Sequence, residues 1–170
     1  SLIEGEHTTF AVLAIPCGDI LYIAPEEGLP LKYEIETHQW SIYSKSDDDS
    51  KIKIGLSQSS QKKPKYEQYL QAMSELTEYS EFKAGSAYKF CMILEDKVDI
   101  YPRFHPTCEW DTSAGQCLLE RIGGGLVNLQ GKSFLYNQRD TLLNGGFIAY
   151  KNEYMKNLAF QALELMASKH

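Results

Sequence analysis

The chain has 170 residues, of which 43% are hydrophobic and 24% charged, with a formal net charge of −6. That length can bury a sizeable core in one ordinary domain, and the acidic balance argues against a general nucleic-acid or anionic-membrane surface, which needs clustered Lys and Arg. An anionic small molecule stays open as a ligand if a metal ion supplies positive charge locally. In chain order, Phe10 to Ile15 and Ile20 to Ala24 are apolar runs separated by Pro16, Cys17, Gly18 and Asp19, turn chemistry that predicts a hairpin. Leu31, Tyr33 and Ile35 alternate with Lys32 and Glu34, so a third strand is expected with one apolar face, and Trp40 to Tyr43 reads as a fourth. Asp47, Asp48 and Asp49 stand in a row within Ser44 to Ser50; without ligand spacing the run reads as an exposed, solvated loop.

From Lys51 the pattern changes to strands alternating with helices. Ile52 to Leu56 is a short strand, and Pro64 opens a helix with Tyr66, Tyr69, Leu70 and Met73 on one face. Thr77 to Phe82 is the next strand. A helix comes after it, whose Ala87, Phe90, Cys91 and Leu94 form a core stripe. Val98 to Tyr101 is a strand that Pro102 ends, and Asp111 precedes a helix with Ala114, Cys117, Leu118 and Ile122 buried, stopped by Gly123 to Gly125. Leu126 to Leu129 and Gly146 to Tyr150 are short strands. A last helix carries Met155, Leu158, Ala159, Ala162, Leu163 and Met166 on one face. The order implies an α/β chain in which part of an antiparallel sheet, residues 1–45, feeds an α/β unit, residues 46–170, with a helix-covered mixed sheet.

The four cysteines have neither zinc-ligand spacing nor a small secreted framework, so they read as reduced thiols. No apolar run approaches the ~20 residues that cross a bilayer, and the first residues lack the parts of a signal peptide. The expected compartment is the cytoplasm, with peripheral attachment at the inner membrane as its variant.

Several residues could carry chemistry. Asp111 at a helix start could give one oxygen to Mg²⁺ while phosphate oxygens meet the free N–H groups, or it could be only an N-cap. Ser86 and Lys89, three apart, share a helix face and could contact phosphate, although a capping Ser and a solvated Lys would look the same. Arg103 has the planar fork that suits two phosphate oxygens, and an Arg at a strand end is otherwise simply exposed. Glu26 and Glu27 lie in a Pro25 to Pro30 turn and read as structural. His7 lacks the i, i+4 partner of a helical zinc site. His38, His105 and His170 have no partner that sequence identifies, and Gly123 to Gly125 lacks the ending of a P-loop.

Four local patterns occur in fixed order: Gly-Ser-Ala-Tyr-Lys-Phe at 85–90, Tyr-Pro-Arg at 101–103, Trp-Asp-Thr-Ser-Ala-Gly at 110–115 and three glycines at 123–125. Together they resemble the carboxy-terminal half of the CysQ-type 3'(2'),5'-bisphosphate nucleotidases, in the inositol-monophosphatase-like superfamily of metal-dependent phosphatases. The resemblance implies a partial layered fold of that superfamily and hydrolysis of adenosine 3',5'-bisphosphate to AMP and phosphate in sulfur assimilation. A phosphorylated nucleotide is then the small-molecule partner, without nucleic acid and without an integral membrane segment. It also implies Asp111 as the catalytic, metal-binding carboxylate that meets substrate, with Ser86, Lys89 and Arg103 on the nucleotide. Lys89 separates the nucleotidases from inositol monophosphatases, which usually carry an apolar or acidic residue there. The alternatives are an inositol-phosphate or sugar-bisphosphate phosphatase of the same fold, or a noncatalytic nucleotide-binding module.

The likeness runs most closely from about Ile52 to Tyr150. Ser1 to Ile15 resembles the segment immediately downstream of the superfamily's Asp-Pro-x-Asp-Gly-Thr motif; that motif and the glutamate pair upstream of it are not in the sequence, and around Ala14 to Gly18 it is shorter than its relatives by about one strand. The family's histidine after Ser-x-Ser is also replaced, since Ser57, Gln58 and Ser59 precede Ser60. The expectation is a piece of a longer phosphatase, with the remaining Mg²⁺ ligands outside this chain and little turnover by the 170 residues alone.

Overall fold

Alternating side chains build the first layer. In the structure, a computed structural model describing residues 1–44, 51–58, 63–85 and 87–169, β1 (Leu2–Glu4), β2 (His7–Ile15), β3 (Ile20–Ala24), β4 (Leu31–Glu34) and β5 (Gln39–Ile42) form an antiparallel sheet in chain order. The expected hairpin is β2 with β3, turned by a 3₁₀ segment at Pro16–Gly18 and by Asp19 at φ 49°. Ala11, Leu13, Tyr22 and Ala24 point inward and are buried. Val12, Ile23, Leu31 and Ile42 lie in register across the other face, as do Ala14, Leu21, Tyr33 and Trp40; Val12, Trp40 and Ile42 are exposed there. The Asp47 to Asp49 loop, Ser59, Ser60, Ser86 and His170 lie outside the described residues.

The second sheet has the order β10-β12-β8-β6-β7, from β10 (Gly125–Asn128), β12 (Phe147–Tyr150), β8 (Ile100–Arg103), β6 (Ile52–Ser57) and β7 (Tyr79–Ala84). β6 pairs in parallel with β7 and β8, and β12 pairs antiparallel with β8 and β10. β9 (Thr107–Cys108) and β11 (Leu143–Asn144) make a small separate ladder. Both faces of the mixed sheet are covered at its centre, so β8 and β12 are buried on both sides, whereas the edge strand β7 carries exposed Glu81 and Lys83. Ile54, Ile100, Ile148 and Tyr150 pack toward α1 (Pro64–Leu76) and α4 (Glu153–Ser168). Tyr101, Phe147 and Ala149 pack toward α2 (Tyr88–Leu94) and α3 (Glu109–Glu120). α3 lies between the two sheets, and Leu13 and Tyr22 of the first share a core with Phe90, Cys117 and Leu118. The layers therefore run helix, mixed sheet, helix, antiparallel sheet.

The stripes expected for α1 and α4 are buried or pack against the core. α3 is buried on more than its expected stripe, because a helix between two sheets has two inner faces. Its Gly115 is dictated by packing: a Cβ there would fall 2.2 Å from the Phe90 ring. The helix ends as expected, with Gly123 at φ 80° before β10. Several boundaries differ by a few residues, among them three. β7 starts at Tyr79, two residues after the expected Thr77. β8 continues through Pro102 to Arg103; proline has no N–H for a ladder, but the parallel partner reaches β8 only at Ile100, so none is needed there. α3 starts at Glu109, so Asp111 is inside its first turn instead of ahead of it.

Candidate active site

The parallel strands place the site. β6 ends at Ser57, Gly85 comes directly after β7, and β8 ends at Arg103. The chain leaves β6 toward α1 on one face, and leaves β7 and β8 toward α2 and α3 on the other, so a crevice opens at the carboxyl ends, the usual ligand position in such sheets. It is a cavity of about 340 Å³ lined by Ser57, Tyr101, Arg103, Thr107, Asp111 and Phe147 among others.

Asp111 reaches this cavity from the first turn of α3. Its Oδ2 accepts the Cys108 N–H at 3.0 Å, so the carboxylate caps the helix from its third residue and corrects the expectation of an Asp ahead of the helix. The side chain is exposed and also borders a second cavity of about 480 Å³, with Ser1, Trp110 and Ser113. Ser1 Oγ donates to Ser113 Oγ at 2.7 Å, which ties the first residue to a position two residues beyond Asp111. Among the described residues no three His, Cys, Asp or Glu side chains come together as a metal site. Mg²⁺ requires a near-octahedral oxygen shell. The described donors thus fit one ligand of that ion and not its whole shell.

Arg103 is the charged wall of the cavity. Its Nη1 donates to the Tyr101 hydroxyl at 3.2 Å, while its Nε is buried without a hydrogen-bond partner. Lys89 is fully buried below: Nζ donates to the Ala84 carbonyl at 2.8 Å and lies 4.6 Å from the centre of the Tyr101 ring. Burial first, and then the neighbouring Arg103 charge, brings its pKa down to about 8. Ser86, which the sequence pairs with Lys89, lies outside the described residues. Beyond Arg103, Lys63 Nζ and His105 Nε2 are 2.8 Å apart, with the imidazole 5.4 Å from the Tyr66 ring. Burial and then Lys63, Arg103 and Lys65 hold His105 below the usual histidine range, so its neutral ring accepts from the ammonium. An acidic chain thus gathers cationic side chains at this one rim, an arrangement suited to an anion.

Two further hydroxyls belong to the cavity. Thr107 is 4% exposed and Ser57 8%, and neither Oγ has a hydrogen-bond partner. Behind the first turn of α3 the polar groups are instead linked. Arg139 Nη2 donates to Glu109 Oε1 at 3.1 Å and also to Asn144 Oδ1, Asn144 Nδ2 donates to Thr112 Oγ1 at 2.9 Å, and the Tyr136 hydroxyl donates to Gln116 Oε1 at 2.8 Å. With the Glu109 N–H on the Leu142 carbonyl, this network pins the turn that carries Asp111. The structure brings Asp111 and Arg103 to one cavity and sets Lys89 under its wall. His105, Thr107, Ser57 and the Arg139 network were not legible as partners, since no spacing in the sequence links positions 57, 105, 107 and 139.

A family model, that of the inositol monophosphatase family, matches residues 1–165. The 3'(2'),5'-bisphosphate nucleotidase CysQ of Escherichia coli K12 is 34% identical over 156 residues, 86% of this chain and 56% of that protein. Its counterpart in Salmonella typhimurium is 40% identical over 80 residues, 47% of this chain and 31% of that protein. Among solved structures, CysQ from Bacteroides thetaiotaomicron superposes with a TM-score of 0.73 at 26% identity, covering 85% of this chain and 59% of that one. The inositol monophosphatase of Zymomonas mobilis gives 0.58 at 12% identity, covering 85% and 61%, a likeness of fold alone. The chain thus spans about half the length of the Escherichia coli relative. No helix among the described residues is long and apolar enough to cross a membrane. On the family match over nearly its whole length, this chain belongs to the inositol monophosphatase family.

Proposed function

We propose that the complete protein carrying this chain is a Mg²⁺-dependent 3'(2'),5'-bisphosphate nucleotidase that hydrolyses adenosine 3',5'-bisphosphate to AMP and phosphate, a cytoplasmic step in sulfur assimilation. The observation that carries the reading is the shared cavity: the Arg103 guanidinium and the Asp111 carboxylate face one space of about 340 Å³. The 34% identity to the Escherichia coli nucleotidase supports the choice of substrate.

In this reading Asp111, held by its capping bond, is one ligand of Mg²⁺, and the other ligands come from outside the described residues. When bound, the ion polarises the phosphoryl oxygen and lowers the pKa of its water. Asp111 meets the substrate through that end of the cavity. Arg103 holds a phosphate through its guanidinium, and Ser86 contacts the nucleotide. Lys89 acts through its charge from beneath the wall formed by Tyr101, where the resemblance had implied direct contact. The 170 residues alone then turn over little or no substrate.

The test is phosphate release by the complete protein from adenosine 3',5'-bisphosphate and from inositol 1-phosphate, with and without Mg²⁺. The expected result is Mg²⁺-dependent preference for the bisphosphate, lowered by roughly 10²-fold or more in Asp111→Asn, the scale of losing a principal electrostatic stabiliser. Equal or faster release from inositol 1-phosphate overturns the substrate assignment, and release without a divalent ion overturns the chemistry.

A further inference from the structure

We infer that Thr107, which lines the cavity together with Ser57, is a substrate-binding residue: its hydroxyl donates to the phosphate group that Arg103 holds. The inference rests on the reading of the cavity as a phosphate-ester site and adds a residue to it.

Thr107 Oγ1 is shut away from solvent without a partner, although the residue lines the cavity and is 4% exposed. A buried polar atom left unsatisfied is costly, and native proteins seldom retain one without a ligand, water or catalytic use. Here the position is fixed by backbone. Thr107 pairs with Asn144 in the β9–β11 ladder, and Asn144 is itself held by Arg139, so the backbone that carries the threonine is fixed. Its neighbours in the lining have the same deficit. Arg103 Nε is buried with its N–H unmet, and Ser57 Oγ, although it faces the Tyr101 hydroxyl, makes no bond of full hydrogen-bond geometry. The Tyr101 hydroxyl accepts from Arg103 Nη1.

The three unmet groups can all donate at once, and two of them, the hydroxyls, can rotate their protons. An occupant offering several acceptors and a negative charge satisfies all three, and a phosphate has that chemistry. The same lining supplies Asp111, whose Oδ2 accepts the N–H of Cys108, the residue after Thr107; its carboxylate repels an anion unless a metal ion lies between. The lining therefore combines hydrogen-bond donors for a phosphate with one carboxylate suited to a metal ion.

Inorganic phosphate is titrated into the complete, metal-free protein by calorimetry, so that Asp111 contributes no metal-bound phosphate. Thr107→Val, which keeps the shape and removes the hydroxyl, is expected to weaken binding by roughly 10-fold or more, the scale of one hydrogen bond to a charged group. Thr107→Ser is expected to stay within about threefold of the wild type, as the donor is kept. Thr107→Ala gives the same answer as Val if the larger side chain perturbs folding. In turnover, the ratio of kcat/KM for adenosine 3',5'-bisphosphate to that for inositol 1-phosphate falls in Thr107→Val and recovers in Thr107→Ser. Failure of the wild type to bind phosphate, equal binding by wild type and Val, or equal weakening in Val and Ser each overturns the inference. A wild type that binds phosphate through Thr107 yet prefers inositol 1-phosphate overturns the nucleotidase reading and leaves the subsite standing.

Discussion

Behind the first turn of α3, Glu109, Arg139, Asn144, Thr112, Tyr136 and Gln116 hand hydrogen bonds to one another, and the buried carboxylate meets a guanidinium at 3.1 Å. In front of that turn, Thr107, Ser57 and the Nε of Arg103 are equally enclosed and lack partners. The same helix end thus separates a closed polar network from an open one. The closed network has committed its bonds to holding the fold, whereas the open one, in the proposed reading, keeps donors for a ligand. Burial alone does not tell the two apart, because Thr112 and Thr107 are both nearly inaccessible.

The closed side is most vulnerable at Arg139. Replacing it by Leu leaves the Glu109 carboxylate buried and unpaired, and urea denaturation should record a loss of about 3–5 kcal/mol, reduced somewhat by the partial exposure of the arginine. A loss below about 1 kcal/mol means the network is not a structural clamp. Lys89, under the open side, is reached by pH. Its folded pKa of about 8 lies below the ordinary 10.5, so between those values the unfolded chain binds the extra proton and stability rises with pH. Lys89→Met removes that rise, and the difference in slope between the two proteins isolates it from the buried tyrosines, whose raised pKa values act in the opposite sense above pH 10. The full span is on the order of 3 kcal/mol, and parallel pH curves contradict the assignment.

Gly115→Ala should lose about 1–3 kcal/mol in the same denaturation experiment, since the new methyl meets the Phe90 ring and α2 must move from α3. Full stability in that variant means the helices have slack that the geometry does not allow. The smallest effect belongs to the open network. Thr107→Val should change stability by less than about 1 kcal/mol, because no protein hydrogen bond is lost. A loss comparable with that of Arg139→Leu makes Thr107 part of the clamp.

Much of the fold was legible from periodicity. Alternation in Leu31 to Ile35 and the stripe in α4 each identify an element whose burial depends on one face. Boundaries were less legible where tertiary pairing overrides a local signal, as at Pro102, whose missing N–H falls where β8 has no parallel partner to bond. Short strands such as β1 and β9 have too few residues for a pattern and exist by pairing with β2 and β11. At the site, Asp111 and Arg103 were legible through family motifs. Thr107 and Arg139 were not, because their meaning lies in which distant groups they meet or fail to meet. Lys89 is singled out by the family motif, yet sequence carries no sign that its ammonium is directed inward to the Ala84 carbonyl.

The open donors around Arg103 serve a phosphorylated substrate and not the fold if the contrast between the two networks holds. Hydrolysis of adenosine 3',5'-bisphosphate by the complete protein with Mg²⁺ decides this, comparing wild type and Arg103→Met alongside their melting temperatures. The expected outcome is a fall in kcat/KM of roughly 10²-fold, the scale of losing a charged hydrogen-bonding partner of the substrate, with little change in melting temperature. Unchanged kcat/KM, or a fall matched by loss of the folded state, would make these groups part of the fold instead.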